Sequence, residues 1–476
     1  MNDAVKGPAL ALTAMLFVML PQAACAATLD GGALTWPFAL PFGGLLLSIA
    51  LGPLLFPAFW HRHYGKIAIA WSALALGATG GLAGGAVVLA AFVHAMLAEY
   101  LSFIVLLFAL YTVAGGVLVS GDIRATPWSN VTILALGTVM ASVVGTTGAA
   151  MILIRPLIRA NLARPRNAHV VVFFIILVAN VGGALSPLGD PPLFVGFLRG
   201  VAFFWPTTHL AIQTGIVVVL LLAMFVALDA WRFRSDGMAP AGGAAPIKVR
   251  GLVNVLLIAV IVAAMLLSAN WRPGFAFDVL GTRLEIQNLA RDGVLIALAL
   301  LSLWLTPDEH RQANGFTFEP ILEVAKLFAG VFTAIIPVVA MLNAGTQGSF
   351  AWLLSAVTAP GGAPREVAYF WLTGVMSAFL DNAPTYLLFF ELAGGDPGQL
   401  MGELSGTLAA ISMGAVYMGA LSYIGNAPNF MVLAIANERG IRMPGFFGYV
   451  LWAATILVPL FVLLTILPVA PILSAR

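Results

Sequence analysis

Two aspartates and a set of neutral oxygen side chains carry the chemistry available to this sequence. Asp190 stands in Asn180-Val-Gly-Gly-Ala-Leu-Ser186-Pro-Leu-Gly189-Asp190-Pro191-Pro192, and Asp381 in Leu380-Asp-Asn-Ala-Pro384. A further stretch, Ser422-Tyr-Ile-Gly425-Asn426-Ala-Pro428-Asn429, shares with the first the pattern Ser-x-x-Gly-[Asp/Asn]-x-Pro. Proline lacks a backbone donor and clashes with the preceding turn, while glycine frees the backbone, so both stretches should unwind a helix. Unwinding exposes carbonyls that ligate cations and a half-helix N-terminus that favours anions. Nearby lie Thr146, Thr147, Asn180, Ser186, Asn382, Thr385, Ser422, Asn426 and Asn429. Their hydroxyl and amide oxygens suit a hard cation, and Na⁺ at Asp190 and Asp381 is the expected metal. Burial favours the protonated form of a carboxyl and a bound cation the ionised form. One carboxylate can therefore hold either H⁺ or Na⁺, which is the basis for exchanging them. The plainer reading is an aspartate that caps a half-helix, with serines and threonines bonded to their own helix backbone.

Such a site needs elements that hold it away from water. Hydrophobic residues make up 61% of the 476 and charged residues 9%, against about 25% charged in soluble domains. A chain this apolar must use lipid as solvent for its outer face. The net charge of +2, without a basic tract, gives no footing for nucleic acid. Cys25 is alone, which excludes a disulfide framework and a thiolate metal site. No cofactor is expected beyond the transported Na⁺ and H⁺, and the expected partners are small ions and membrane lipid.

Met1–Ala26 reads as a cleavable signal peptide, with Lys6, an apolar Ala9–Leu20 and a small-x-small end at Ala24-Cys25-Ala26. Apolar spans follow near Phe38–Phe59, Ile67–Ala91, Tyr100–Val119, His169–Leu198, His209–Trp231, Leu252–Ala269, Leu289–Leu305, Pro320–Leu342, Leu404–Ala436 and Phe446–Pro468. Two more apolar stretches, Val131–Ile158 and Val367–Leu392, hold Gly145-Thr-Thr-Gly148 and Leu380–Pro384 at their centres and read as re-entrant hairpins. The expected fold is an all-α polytopic membrane protein of about ten transmembrane helices plus two such hairpins.

Lysine and arginine set the orientation. Arg62, Lys66, Arg124, Arg155, Arg159, Arg164, Arg166, Arg232, Arg234, Lys248, Arg250, Arg311, Arg439 and Arg442 fall on one side. Only Arg199, Arg272, Arg283, Arg291, Arg365 and Arg476 fall on the other. A first transmembrane repeat over 38–235, a cytoplasmic linker over 236–250 and a second repeat over 251–470 then match as an inverted pair, which places substrate between the halves. The spacing agrees: Thr146 to Asp190 is 44 residues and Asp381 to Asn426 is 45. Glu323 and Lys326, three apart on one helix, should pair as a structural ion pair or a proton relay. Glu391 reads as interfacial, and His94 with Glu99 as a solvated helix end.

Gly145 through Pro156, Asn180 through Phe194, Leu380 through Thr385 and Tyr423 through Met431 resemble the ion transporter superfamily. They are most similar to its NhaD-type sodium:proton antiporters and the related citrate-transport proteins. The resemblance covers nearly the whole mature chain. It implies sites built from hairpins and broken helices, an elevator-like motion and frequently a homodimer. Na⁺-coupled dicarboxylate members share the layout but carry Ser-Asn-Thr hairpin tips, where this chain has Gly-Thr-Thr and Leu-Asp-Asn. The expected function is exchange of Na⁺ or Li⁺ for H⁺ across a bacterial inner membrane. A cation-coupled carboxylate carrier of the citrate type is the alternative. An intramembrane aspartyl protease would need Gly-x-Gly-Asp and Tyr-Asp motifs, which are absent, so no enzyme is expected.

Overall fold

A computed structural model describes residues 29–237 and 246–466. The expected signal peptide, Met1–Ala26, lies outside these residues, as does most of the expected linker. The chain is almost entirely helical. It opens with α1 (Leu40–Leu55), α2 (Pro57–Ala83), α3 (Gly85–His94) and α4 (Leu101–Ala114), with a π-turn over Ala95–Tyr100 between the last two. Pro57 starts α2 at a position where its missing N–H costs nothing. Gly84, at φ +88°, ends it in a conformation that L side chains resist. The sequence boundary expected between Ala91 and Tyr100 therefore falls instead at Gly84. Nothing from Ala91 to Tyr100 breaks a helix, so the chain winds on through both.

Next come α5 (Pro127–Val144), α6 (Thr146–Asn161), α7 (Ala168–Leu177), α8 (Pro191–Leu198) and α9 (Trp205–Ser235). Thr126 caps α5 by accepting from Ser129 N at 3.1 Å, with Pro127 following. The later part runs α10 (Leu252–Asn270), α11 (Ile286–Leu305), α12 (Asp308–Ala313), α13 (Glu319–Ala334), α14 (Ile336–Asn343), α15 (Ala351–Val357), α16 (Glu366–Leu380) and α17 (Asn382–Leu392). It ends with α18 (Pro397–Met401), α19 (Ser405–Met418), α20 (Ala427–Glu438) and α21 (Phe446–Ile466). Two short antiparallel pairs join β1 (Leu118–Ser120) to β2 (Lys248–Arg250) and β3 (Ala276–Val279) to β4 (Thr282–Glu285).

Among the described residues, ten helical segments are long and apolar enough to cross a bilayer. They are not the same ten read from the sequence. Pro127–Val144, expected as a hairpin arm, has spanning length, whereas the interrupted Leu404–Ala436 divides into two helices that are each too short.

The helices pack as two blocks. One is a frame of α1, α2, α4, α10, α11 and α13, in which α2 packs on α13 and α4 on α11. The other gathers α5 to α9 with α16, α17, α19 and α20. Within it His169–Leu177, Asn382–Leu392 and Thr407–Met418 are buried along their whole length. Helices apolar on every face belong in an interior. These three and their neighbours carry the polar motifs.

Candidate functional site

The two broken segments unwind where proline and glycine require it. α7 gives way to a 3-10 turn over Val181–Leu185 and extended backbone at Ser186 and Asp190 before α8 starts on Pro191. α19 gives way to Gly419–Leu421 and extended backbone at Ser422 and Asn426 before α20. Both breaks fold back tightly on themselves. A Cβ on Gly189 would lie 2.2 Å from the Gly183 carbonyl oxygen, and one on Gly425 would lie 2.5 Å from that of Gly419.

Opposite each break a hairpin turns over on one residue. Gly145 turns α5 into α6 at φ +82°, and Asp381 turns α16 into α17 at φ +75°. Ser186 Oγ donates to the Ser142 carbonyl and Ser422 Oγ to the Ala378 carbonyl, which ties each break to the hairpin arm beside it. An offset of 236 residues relates Ser186 to Ser422, Asp190 to Asn426 and Thr146 to Asn382. Under this register Asp381 corresponds to Gly145. The spacing of 45 counted from Asp381 was thus one residue out of step.

Asp190 lies at the meeting point. Its Oδ1 accepts from Thr146 Oγ1 at 3.0 Å and from Asn426 Nδ2 at 3.0 Å. Its Oδ2 accepts from Asn382 Nδ2 at 2.6 Å. Thr146 N also donates to the Gly189 carbonyl at 2.8 Å. Asp190 makes no capping bond to α8, so the plain helix-cap reading does not describe it. Asn382 Oδ1 is buried without a hydrogen-bond partner.

Asp381 behaves differently. Its Oδ1 accepts from the adjacent Asn382 N at 2.7 Å, which caps its own helix. It nevertheless lines the same cavity as Asp190, a space of about 90 Å³ walled by Gly145–Gly148, Asp190, Asp381, Asn426, Pro428 and apolar residues of α4 and α13. Thr147 lines this cavity too.

The remaining sequence candidates hold the backbone rather than face the cavity. Thr385 Oγ1 donates to the Asp381 carbonyl at 2.7 Å. Asn180 Nδ2 reaches Asn429 Oδ1 at 2.7 Å and the Ile175 carbonyl at 2.8 Å. Asn429 Nδ2 holds the Gly419 and Ser422 carbonyls, both at 2.9 Å. Asn180, Asn429, Ser186, Ser422 and Thr385 thus fix unwound or terminal backbone, whereas Asp190, Asp381, Asn426, Thr146 and Thr147 line the cavity and Asn382 reaches it through its bond to Asp190.

Glu323 and Lys326 do not pair. Glu323 Oε1 accepts from Trp60 Nε1 at 3.4 Å, and Lys326 Nζ sits 5.3 Å from the centre of the Tyr64 ring. Docking of α13 on α2 supplies each with a partner across the helix interface.

Sequence reading missed three charged clusters, one of them the buried Arg291–Asp292 pair bonded to Ser102. Asp229, on α9, accepts from Arg164 at 2.5 Å and Asn130 at 3.0 Å and bonds His169 Nε2 at 2.7 Å, all fully buried. Glu99 and Glu391, read as a solvated end and an interfacial residue, are both buried and share Arg199. Their partners are 100 and 192 residues distant, so no local spacing announces them.

The spanning helices and interior breaks define a multi-pass membrane protein of the transporter class. The family model described as "Putative citrate transport" matches residues 31–469, and the chain belongs to that family. It is also 26% identical over 333 residues to a protein of Mycobacterium tuberculosis and to one of Mycobacterium bovis, each named an uncharacterized transporter. Those matches cover 67% of this chain and 71% of each relative.

Proposed function

We propose that this protein is a secondary active transporter that exchanges Na⁺ or Li⁺ for H⁺ across the bacterial inner membrane. Asp190 and Asp381 are its exchanging carboxylates. One observation carries this reading. The buried carboxylates Glu99, Asp229, Asp292 and Glu391 each face an arginine, whereas Asp190 faces only two amides and a hydroxyl. An unpaired carboxylate in a membrane interior is costly, so it calls for an occupant, Na⁺ in one half of the cycle and H⁺ in the other. The free Asn382 Oδ1 beside it is a ready neutral ligand for a hard cation.

The common offset of hairpins and breaks supports an inverted-topology repeat with re-entrant hairpins. In such transporters the substrate sits between the halves and access alternates by movement of one block against another. The lysine and arginine bias supports a cytoplasmic place for the 236–250 segment.

Family membership favours a second reading, cation-coupled carriage of a citrate-type carboxylate. In it the N-terminus of α6, which borders the cavity at Thr146–Gly148, would face the anion once a cation neutralised Asp190. Transport in vesicles separates the two. A pH gradient is imposed, then Na⁺, Li⁺ or citrate is added. Dissipation by Na⁺ or Li⁺ alone is the expected result. Dissipation that requires citrate would replace this reading with the second.

A further inference from the structure

Arg199 ends α8, the helix that begins directly after Asp190. Its Nη1 donates to Glu391 Oε1 at 2.6 Å, and its Nη2 lies 3.0 Å from Glu99 Oε1. Glu391 stands on α17, the helix that begins directly after Asp381. α8 packs against α17, so two short helices lead from the two aspartates to one guanidinium. At 1.5 Å per residue the eight residues of α8 are a rod of about 12 Å. Glu391 and Arg199 therefore belong to the block that carries the site.

Glu99 does not. It belongs to the π-turn between α3 and α4, which packs on α13 of the frame. Inserted π-turns are uncommon and recur at functional positions. The two carboxylates are largely enclosed, with Glu391 at 3% exposure and Glu99 at 12%, while Arg199 is 24% exposed. Among the described residues, this arginine is the direct ion-pair connection from the site-bearing block to the frame at this end of the molecule. The cavity at Asp190 borders α6, α20 and the start of α13. α6 and α20 end at Arg159 and Arg439, and α13 begins shortly after Arg311, all on the side opposite Arg199 by the lysine and arginine bias.

We propose that Arg199 is the outer latch of the transport cycle. Glu391 holds the guanidinium in place within the moving block, and Glu99 is the strike point on the frame. While the Arg199–Glu99 bond stands, the outer path is shut and the ion site opens inward. The bond must break for the block to slide. This rests on the transporter reading but not on which ion is carried.

The test uses the full chain carrying Cys25→Ser and Met431→Cys, which places a thiol in the inner cavity. Labelling by a membrane-impermeant maleimide is followed in inside-out vesicles. Arg199→Gln and Glu99→Gln are each expected to slow labelling severalfold, because the outward arrangement is no longer penalised. Glu99→Asp, which retains the charge that faces Arg199 and leaves the Arg199–Glu391 bond in place, should restore the rate. A merely structural role would lower folded yield, read by size exclusion, without this rescue. Should Arg199→Gln fail to fold, Glu99→Gln, which leaves Arg199 paired with Glu391, carries the test. Unchanged labelling in folded Glu99→Gln would overturn the latch. A shifted labelling rate in a protein that exchanges no Na⁺ for H⁺ would keep the latch and discard the ion assignment.

Discussion

Asn382 Nδ2 donates to Asp190 Oδ2 at 2.6 Å, joining residues 192 apart in the chain. One sits at the tip of the second hairpin and the other in the break of the first interrupted helix. Through this bond the two halves of the chain share one carboxylate. Asn426, from the second break, completes the pairing at 3.0 Å.

The exchange reading makes Asp190 indispensable for its charge. Asp190→Asn retains shape, with the Asn382 amide turned over so that its free Oδ1 accepts from the new NH2, but removes charge and titration, and Na⁺-driven proton movement in vesicles should vanish while insertion is normal. Asp381→Asn should do the same. A double Asn variant that retained pH-dependent exchange would end the proposal.

Ligand-facing and backbone-holding asparagines should separate in their effects. Loss of a hydrogen bond to a charged group costs about 1.5–3 kcal/mol. Asn382→Ala removes that bond to Asp190, so stability should fall by about as much, and it also removes the free Oδ1, so apparent Na⁺ affinity should weaken about tenfold or more. Asn429→Ala strips the Gly419 and Ser422 carbonyls and Asn180 of their partner. It should lower stability in detergent by about 1–3 kcal/mol. Equal effects of the two substitutions on Na⁺ affinity would contradict the division.

Backbone requirements give an opposed pair of glycine experiments. Gly189→Ala and Gly425→Ala force a methyl into backbone oxygens at 2.2 and 2.5 Å, and both should abolish folded yield. Asp381→Gly runs the other way. Glycine suits φ +75° with ψ 143°, where a non-glycine residue carries about 1–3 kcal/mol of strain. The melting temperature should hold or rise while exchange is lost. A marked drop in melting temperature would show that the carboxylate serves the fold.

Asp229 tests whether a buried charge can be essential without touching the transported ion. Asp229→Ala leaves Arg164 buried and uncompensated, a loss of about 3–5 kcal/mol. Whatever protein survives should keep the Na⁺ dependence of the parent. An altered apparent Na⁺ affinity in folded Asp229→Asn would tie this cluster to the ion.

Topology is checked by cysteines on the Cys25→Ser background. In intact cells a cysteine at Gly242 should resist an impermeant thiol reagent and one at Gly274 should react. The reverse pattern would overturn the orientation and the inverted repeat with it.

Composition alone settled that this chain lives in lipid, because 9% charge cannot cover a water-facing surface. The motifs around Gly189 and Gly425 located the helix breaks, since proline and glycine act on the backbone next to them whatever surrounds it. The hairpin turns at Gly145 and Asp381 were legible for the same local reason. What the local signal could not supply was pairing. Asn180 and Asn429 look as ligand-like in sequence as Asn382 does. Only the packed structure turns their amides onto backbone carbonyls and leaves Asn382 Oδ1 free. Glu323 and Lys326 have ideal helical spacing, yet each finds its partner on α2. Arg199 lies beside neither acid in sequence and joins both in space. Backbone chemistry acts over a few residues and can be read along the chain. Charge pairing acts through space, and which charges meet is decided when the helices pack.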